Sequence, residues 1–376
     1  MNLSLENLPE INFAEKNPAV ILQELVTKFE EEADRTLFPT DPMRLLMLTL
    51  AYVISAVRSN IDFAGKQNLL AFAQDSFIQH IATLVGVKQL GARAAVTILE
   101  FRISKELPNA TLIRAGTRAT VGNNIFFATV ADVEIPKGSL SVQAQASCTQ
   151  LGSVGNGFLI GQVNRLSDPF PFHESVTNIT ITQGGADVES IEALRSRTQM
   201  APESFSTAGP RGAYIFWAKT ANQLIVDVSV ETPSPAVVEV IPLLANGEIP
   251  NQAVLDEVYG VLNDDRIRPL TDMVIVRKPE IVKYAIDLTY HISRRNAATG
   301  LTIQENVSKA LQEFILWQKS KLGRDLNKSQ LTKMLMKAGI NRVHVRKPIF
   351  KALQHFEIGI ADEYNINVVY GGLVDD

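Results

Sequence analysis

The chain has 376 residues, 46% of them hydrophobic and 20% charged, which excludes a disordered or collagen-like polymer. Its 36 basic and 40 acidic residues leave a formal charge of −4, too near balance to mark nucleic acid or a membrane as a global partner. One cysteine, Cys148, excludes an internal disulfide and supplies no metal cluster alone, which fits folding in a reducing compartment. At roughly 100–200 residues per domain the length predicts two to four folding units.

Residues 1–94 read as a helical unit. The start, Met1 to Lys16, lacks a basic stretch followed by an apolar run, so no secretory signal is expected. Val20, Ile21, Leu25 and Phe29 fall on one helical face, with Glu24, Lys28, Glu31 and Glu32 on the other. Asp41 is placed to cap a second helix that has Pro42 at its first position. The most apolar run, Leu45 to Val57, is flanked by Arg44 and Arg58 and is shorter than the ~20 residues that span a bilayer. It reads as a buried core helix. A third helix is expected from about Gln67 to Leu84, ending at Gly86.

Residues 95–185 change period. Short apolar runs separated by Pro-Asn, Ala-Gly, Gly-Asn-Asn and Pro-Lys-Gly predict an antiparallel β domain, sandwich or barrel-like. Val142, Ala144, Ala146 and Cys148 share one side of a strand, with Gln143, Gln145 and Ser147 on the other, so Cys148 is expected in the core. Residues 186–222 read as a helix–loop–helix joint. Residues 223–376 predict an α+β region of antiparallel strand pairs and helices, ferredoxin-like in arrangement. Its long helix is expected over about Thr302 to Lys321, with a further helix starting near Asn327 or Ser329 and stopping at Gly339. The fold class is therefore multidomain α+β.

The residue pattern points away from an enzyme. The histidines at 80, 173, 291, 344 and 355 are scattered without zinc-ligand spacing. His80, in a helix, and His291 and His344, in strands, read as structural histidines. The stretch Gly152 to Gly157 resembles a phosphate loop superficially, but it follows a polar run and opens no helix, so a turn is the better reading. Asp264 and Asp265, beside Arg266 and Arg268, read as a solvated turn with local ion pairs. Residues 301–351 carry eleven basic and three acidic side chains, 11 − 3 = +8. Gly339 leads into a strand where helix-turn-helix recognition needs a helix, and aromatics for base stacking are few. Docking on an acidic neighbour explains the imbalance equally well.

The joint itself reads as packing. Ser190 can cap a helix in which Ile191 and Leu194 face inward and Arg195 and Arg197 project elsewhere. Gly209-Pro210 makes a sharp entry to the next helix, where Ala213, Tyr214, Trp217 and Ala218 share a face. Small alanines beside large aromatics predict a close contact and no pocket.

Several patches in order resemble the baseplate J family, wedge proteins of contractile phage tails, phage-tail-like bacteriocins and related injection systems. They are GGADVESIEALRSRT, STAGPRGAYIFWA, DDRIRPLTDMVIV and LGRDLNKSQLTKMLMKAGINRVHV, with IRAGTRAT, GSVGNG and AFAQDSFIQHIATLVGVKQLGARAA upstream. Val188 stands where the family usually has a small or polar residue, and Pro235-Ala236 where a Pro-Gly turn is common. The resemblance implies no catalytic site, cofactor or metal. It implies a chain made in the bacterial cytoplasm that joins other wedge subunits, hub and sheath-proximal proteins and copies of itself into a ring that passes on the contraction trigger. No membrane partner is implied, and nucleic acid is disfavoured. The structural joint or interface candidates are then Ser190, Leu194, Arg195, Arg197, Gly209, Pro210, Tyr214, Trp217, Arg268, Pro269 and Asp272. The basic docking candidates are Lys328, Lys333, Lys337 and Arg342. Competing readings are a glycan-binding or glycan-degrading tail protein, and a nucleic-acid-binding protein using residues 301–351.

Overall fold

A computed structural model describes residues 5, 8–206 and 208–375. Residues 1–4 and 6–7, part of the start read as free of a signal, lie outside the described residues. The chain divides into two compact units, one of residues up to Gln89 with Ser190–Ala201, the other of Leu90–Glu189 with residues from Pro202 onward.

The first unit is helical. α1 (Pro18–Ala33) is capped by Asn17, whose side chain accepts from Ala19 N at 3.0 Å. α2 (Pro42–Lys66) is capped by Asp41, accepting from Met43 N at 2.9 Å. α3 (Asp75–Leu84) and α4 (Ile191–Met200) complete the unit. Val26, Leu37 and Met47 form a buried cluster with Leu22, Leu25 and Phe29 against it, and Ile21 is buried as well. Val20 is exposed, so the inward stripe of α1 is rotated from the expected one and takes in Leu22 and Val26. The third helix begins at Asp75 and not at Gln67. α2 runs unbroken to Lys66, and the chain reverses through turns in which the Gln67 side chain accepts from Gln74 N at 2.9 Å.

α2 departs most from expectation. Met47, Ala51 and Asp62 are its buried residues, whereas Leu46, Val53 and Val57 are 53%, 57% and 53% exposed. The buried-core-helix expectation is therefore wrong. At 1.5 Å per residue α2 is ~37 Å long and α1 only ~24 Å; α1, the Phe13–Lys16 segment and Phe77 of α3 cover part of α2, and among the described residues the stripe of Leu46, Val53 and Val57 stays exposed.

The second unit has three layers in chain order. The first contains β1 (Ala94–Ile103), β2 (Thr111–Ile113), β3 (Arg118–Gly122), β4 (Ile125–Thr129), β5 (Val133–Ile135), β6 (Ser141–Leu151), β7 (Arg165–Leu166) and β8 (His173–Asn178). Six of these strands form an antiparallel sheet in the order β7-β3-β4-β6-β1-β8. Its end strands approach one another, so the sheet is nearly closed like a barrel. Inside lie Leu99, Phe101, Ile113, Phe127, Ile135 and Val163. Ala144, Ala146 and Cys148 of β6 point into this core as their alternation predicts.

The central layer holds α5 (Arg211–Ala221), β9 (Ile225–Ser234), β10 (Val237–Leu244), α6 (Gln252–Leu262) and β11 (Met273–Val276). β9 and β10 form the expected antiparallel pair, closed by Pro235-Ala236 with Ala236 at φ 62°. That is backbone glycine takes more readily. β11 returns through α6 to lie parallel to β10, so not every pairing in this region is antiparallel.

The last layer holds β12 (Glu280–Ser293), α7 (Gly300–Lys319), α8 (Lys328–Lys337), β13 (Arg342–Lys347) and β14 (Glu357–Val374). Asn327 caps α8 and Gly339 follows it at φ 99°. The sheet order is β13-β12-β14, with β13 antiparallel and β14 parallel to β12. Ile286, Leu288, Tyr290 and Ile292 alternate inward from β12 onto Val307 and Phe314 of α7 and Leu331 and Leu335 of α8. The chain is multidomain α+β.

Candidate interaction surfaces

The residues singled out between 190 and 272 fall into two clusters. Ser190 caps α4, its Oγ accepting from Ala193 N at 3.2 Å, and Leu194 is fully buried. Arg195 and Arg197 turn inward, contrary to expectation. Arg195 donates to the carbonyls of Leu70 and Ala73 and pairs with Glu192 at 3.2 Å. Arg197 is buried and donates to Lys88 O at 2.5 Å. The turns around α3 leave carbonyls without helical partners, and a guanidinium with five donors satisfies them. α4 is thereby tied to the segments flanking α3.

The second cluster lies within the other unit and joins residues some 60 positions apart. Gly209 has φ 68°, and a Cβ there would stand 2.7 Å from Pro269 Cγ and 3.0 Å from Asp272 Oδ2. Pro210 precedes α5 as its cap residue. Tyr214 is buried and donates to Asp272 Oδ2 at 2.7 Å. Burial, then that bond, raises the Tyr214 hydroxyl well above its ordinary pKa. Arg268 Nη1 donates to Asp272 O at 2.8 Å. Trp217 is only half buried, edge-on to buried Phe216 at 5.1 Å. The buried face of α5 therefore includes Phe216, beside Ala213, Tyr214 and Ala218.

The glycine-rich stretches meet as well. Asn156 donates to Gly185 O at 2.7 Å and accepts from Gly185 N at 2.9 Å, while Asp187 accepts from Ser153 N and Oγ. A Cβ on Gly155 would press on Ala95 and Cys148. The Gly152–Gly157 stretch is thus a packed turn. Asp264 pairs with Arg266 at 2.8 Å, which holds its carboxyl at a pKa of about 2, and Asp265 lies 3.8 Å from Arg268. His80 and His344 are exposed and His291 Nδ1 is buried without a partner, so none is the hydrogen-bonded core histidine expected.

The basic segment divides in use. Arg324 stacks on Trp317 at 4.1 Å, and Arg346 pairs with Asp287 at 2.6 Å. Lys328, Lys333, Lys337 and Arg342 are exposed and form no ion pair among the described residues.

Sequence reasoning missed the contacts that stitch the second unit together. Glu257 on α6 accepts from Asn222 at 2.9 Å and pairs with Arg93, beside the barrel, at 2.5 Å. Asp227 on β9 accepts from Leu322 N at 3.0 Å. These pairs are long-range and carry no local signature.

The chain matches, in order, the baseplate J-like protein barrel domain over residues 100–185, the baseplate J-like central domain over 206–278 and the baseplate J-like protein C-terminal domain over 284–367. Baseplate protein J of Escherichia phage P2 is 32% identical over 195 residues, 51% of this chain and 63% of that protein. The match therefore spans less than two thirds of that relative. A cryo-EM structure of the anti-feeding prophage (AFP) baseplate, 6-fold symmetrised, is similar at 12% identity and a TM-score of 0.42, over 91% of this chain and 90% of that one. The three domain matches suffice: the chain belongs to the baseplate J-like family.

Proposed function

We propose that this chain is a structural, non-enzymatic component of a contractile-tail baseplate. It is made in the bacterial cytoplasm and built into the wedge that surrounds the hub. It joins other wedge subunits, hub and sheath-proximal proteins and copies of itself, and passes on the contraction trigger. The observation that carries this reading is the open apolar surface of α2, where large side chains stand in water along a 25-residue helix. Surfaces of that kind mark association sites.

By length and composition alone α2 also matches a membrane span. Charge favours a protein partner. Asp62 on α2 is buried and paired with Lys16 at 2.6 Å and Lys66 at 3.0 Å, and Arg58 projects from the same helix. A bilayer core would have to accommodate these groups at a cost of several kcal/mol. The exposed cations Lys328, Lys333, Lys337 and Arg342 supply a second docking face, for an acidic partner. The Arg195–Arg197 cluster and the Gly209–Asp272 cluster keep the angles of α4 and α5 within their own units, as a force-passing part requires.

The test is sedimentation of a native lysate from the producing cell. The chain should travel in a very large particle with sheath and tube proteins. Tails that sediment without it, while it runs as a small species, would refute the reading. For the basic face, K333E with K337E should reduce incorporation, and unchanged incorporation removes that face from the proposal.

A further inference from the structure

The C-terminal sheet carries opposite charges on its two free edges. β13 holds Arg342, Arg346 and Lys347 and no acid, while β14 holds Glu357, Asp362 and Glu363 and no base. Arg346 is paired with Asp287. Arg342 and nearby Lys351 have no ion-pair partner among the described residues, and neither have Asp362 and Glu363, while Lys347 acts on the Asp287 carboxylate without a direct ion pair.

Each edge also has a shape. From Ala361 to Ile366 β14 advances five residues while β12 advances two, from Tyr284 to Ile286. Residues 362–365 therefore bulge out of the ladder. Asp362 holds the bulge by accepting from Tyr364 N at 3.3 Å and Asn365 Nδ2 at 2.6 Å. Tyr364 is 97% exposed. On the other side, the segment leaving β13 forms a cleft of about 400 Å³ lined by Leu326, Pro348, Ile349 and Phe350 and flanked by Lys347 and Lys351. Ile349 and Phe350 are exposed. Tyr284 also lines the cleft, and its buried hydroxyl has no hydrogen-bond partner.

A tyrosine beside two carboxylates complements an apolar cleft beside two lysines. The bulge leaves the ladder on the β14 side of β12 and the cleft opens on the β13 side, with Tyr284 and Ala285 of β12 in its wall. We propose that the chain associates head to tail with a second copy of itself, the Asp362–Asn365 bulge of one copy seated in the Lys347–Lys351 cleft of the next. The proposal gives a surface to the self-association suggested above and rests on that reading. Tyr364 is the anchor, an aromatic that buries ~150–250 Å² when enclosed, and its oxygen is an acceptor of the kind the Tyr284 hydroxyl lacks. The charges set direction, because bulge against bulge or cleft against cleft brings like charges together. A contact between two different surfaces repeats from copy to copy, into a ring or a filament.

The test uses the purified full chain. Cys148 is buried, so introduced thiols dominate any coupling. Chains carrying I349C, mixed with chains carrying E363C, should be joined into dimers by a short bis-maleimide, and neither should couple alone. In parallel, E363K and K351E should each associate at least about tenfold more weakly than the wild type, read as weight-average mass by sedimentation. Their equimolar mixture should recover, because every contact in it can again join an acid to a base. Three results overturn the proposal: no mixed dimer, coupling of either variant alone in equal yield, or a mixture as dissociated as its components. Failure of the baseplate reading shows separately, as tails that lack the chain.

Discussion

Leu46, Val53 and Val57 recur on α2 at i, i+7 and i+11, which sets them in one stripe turned away from Met47 and Ala51. Fully burying such a side chain is worth ~1.5–3 kcal/mol. With about half of each still exposed, a partner gains ~1 kcal/mol per residue, ~3 kcal/mol for the stripe, or ~100-fold in affinity. The triple variant L46Q/V53Q/V57Q should therefore leave the fold intact, within ~0.5 kcal/mol per site. Glutamine is also the better helix former than valine. Urea unfolding of the purified variant should match the wild type, while incorporation into sedimenting particles should collapse. A core helix would respond differently, losing several kcal/mol as large side chains leave packed sites. A sharply lower urea midpoint, or normal incorporation, would refute the argument.

Gly209→Ala meets both a left-handed backbone and the Pro269 ring, and should lose ~2–4 kcal/mol of stability. Gly300→Ala, in open space at the start of α7, should stay within ~1 kcal/mol, and equal losses in thermal unfolding would disprove the steric account. Tyr214→Phe removes the donor to Asp272 and should cost ~1–3 kcal/mol, and a variant as stable as the wild type would count against that bond. The Asp62 carboxyl is held far below its ordinary pKa by Lys16, then by the Phe13 N–H, then by Lys66. A pKa lower in the folded than in the unfolded chain means that its stabilisation is complete above ~4 and drains as pH falls further. Asp62→Asn should flatten the acid side of the stability profile below ~pH 4 and leave its slope near neutrality unchanged, so a difference confined to pH 6–8 would be inconsistent with it.

Local signals were legible where one residue type does one job. Asp41-Pro42 opens α2 and Asn327 caps α8 through side-chain bonds, and alternation along β6 placed Cys148 inside. α2 was misread because its apolar residues run all round the helix. Periodicity then names no face, and composition alone cannot separate a core helix from one awaiting a partner. Arg195 and Arg197 were misread because a charge on a helix predicts solvent by default, whereas the carbonyls of Leu70, Ala73 and Lys88 need donors only once the chain has turned around α3. Glu257 with Arg93, and Asp227 with Leu322, join positions far apart and are set by topology.

Those long-range pairs bear on how a force could cross the second unit. The barrel and central layers are held by Glu257, which engages Arg93, and by Gln223, which donates to Asp187 O. The central and C-terminal layers share more, since Ile241 and Leu243 of β10 pack with Leu322 and with Ile358 of β14 in one buried cluster, beside the Asp227 bond. Separating the last two layers would open an apolar contact and orphan a backbone N–H at once, whereas the contacts at the first boundary, Glu257 with Arg93 and Gln223 with Asp187 O, are polar. The C-terminal and central layers thus share a buried apolar cluster as well as a hydrogen bond, while the barrel meets the central layer through polar side chains.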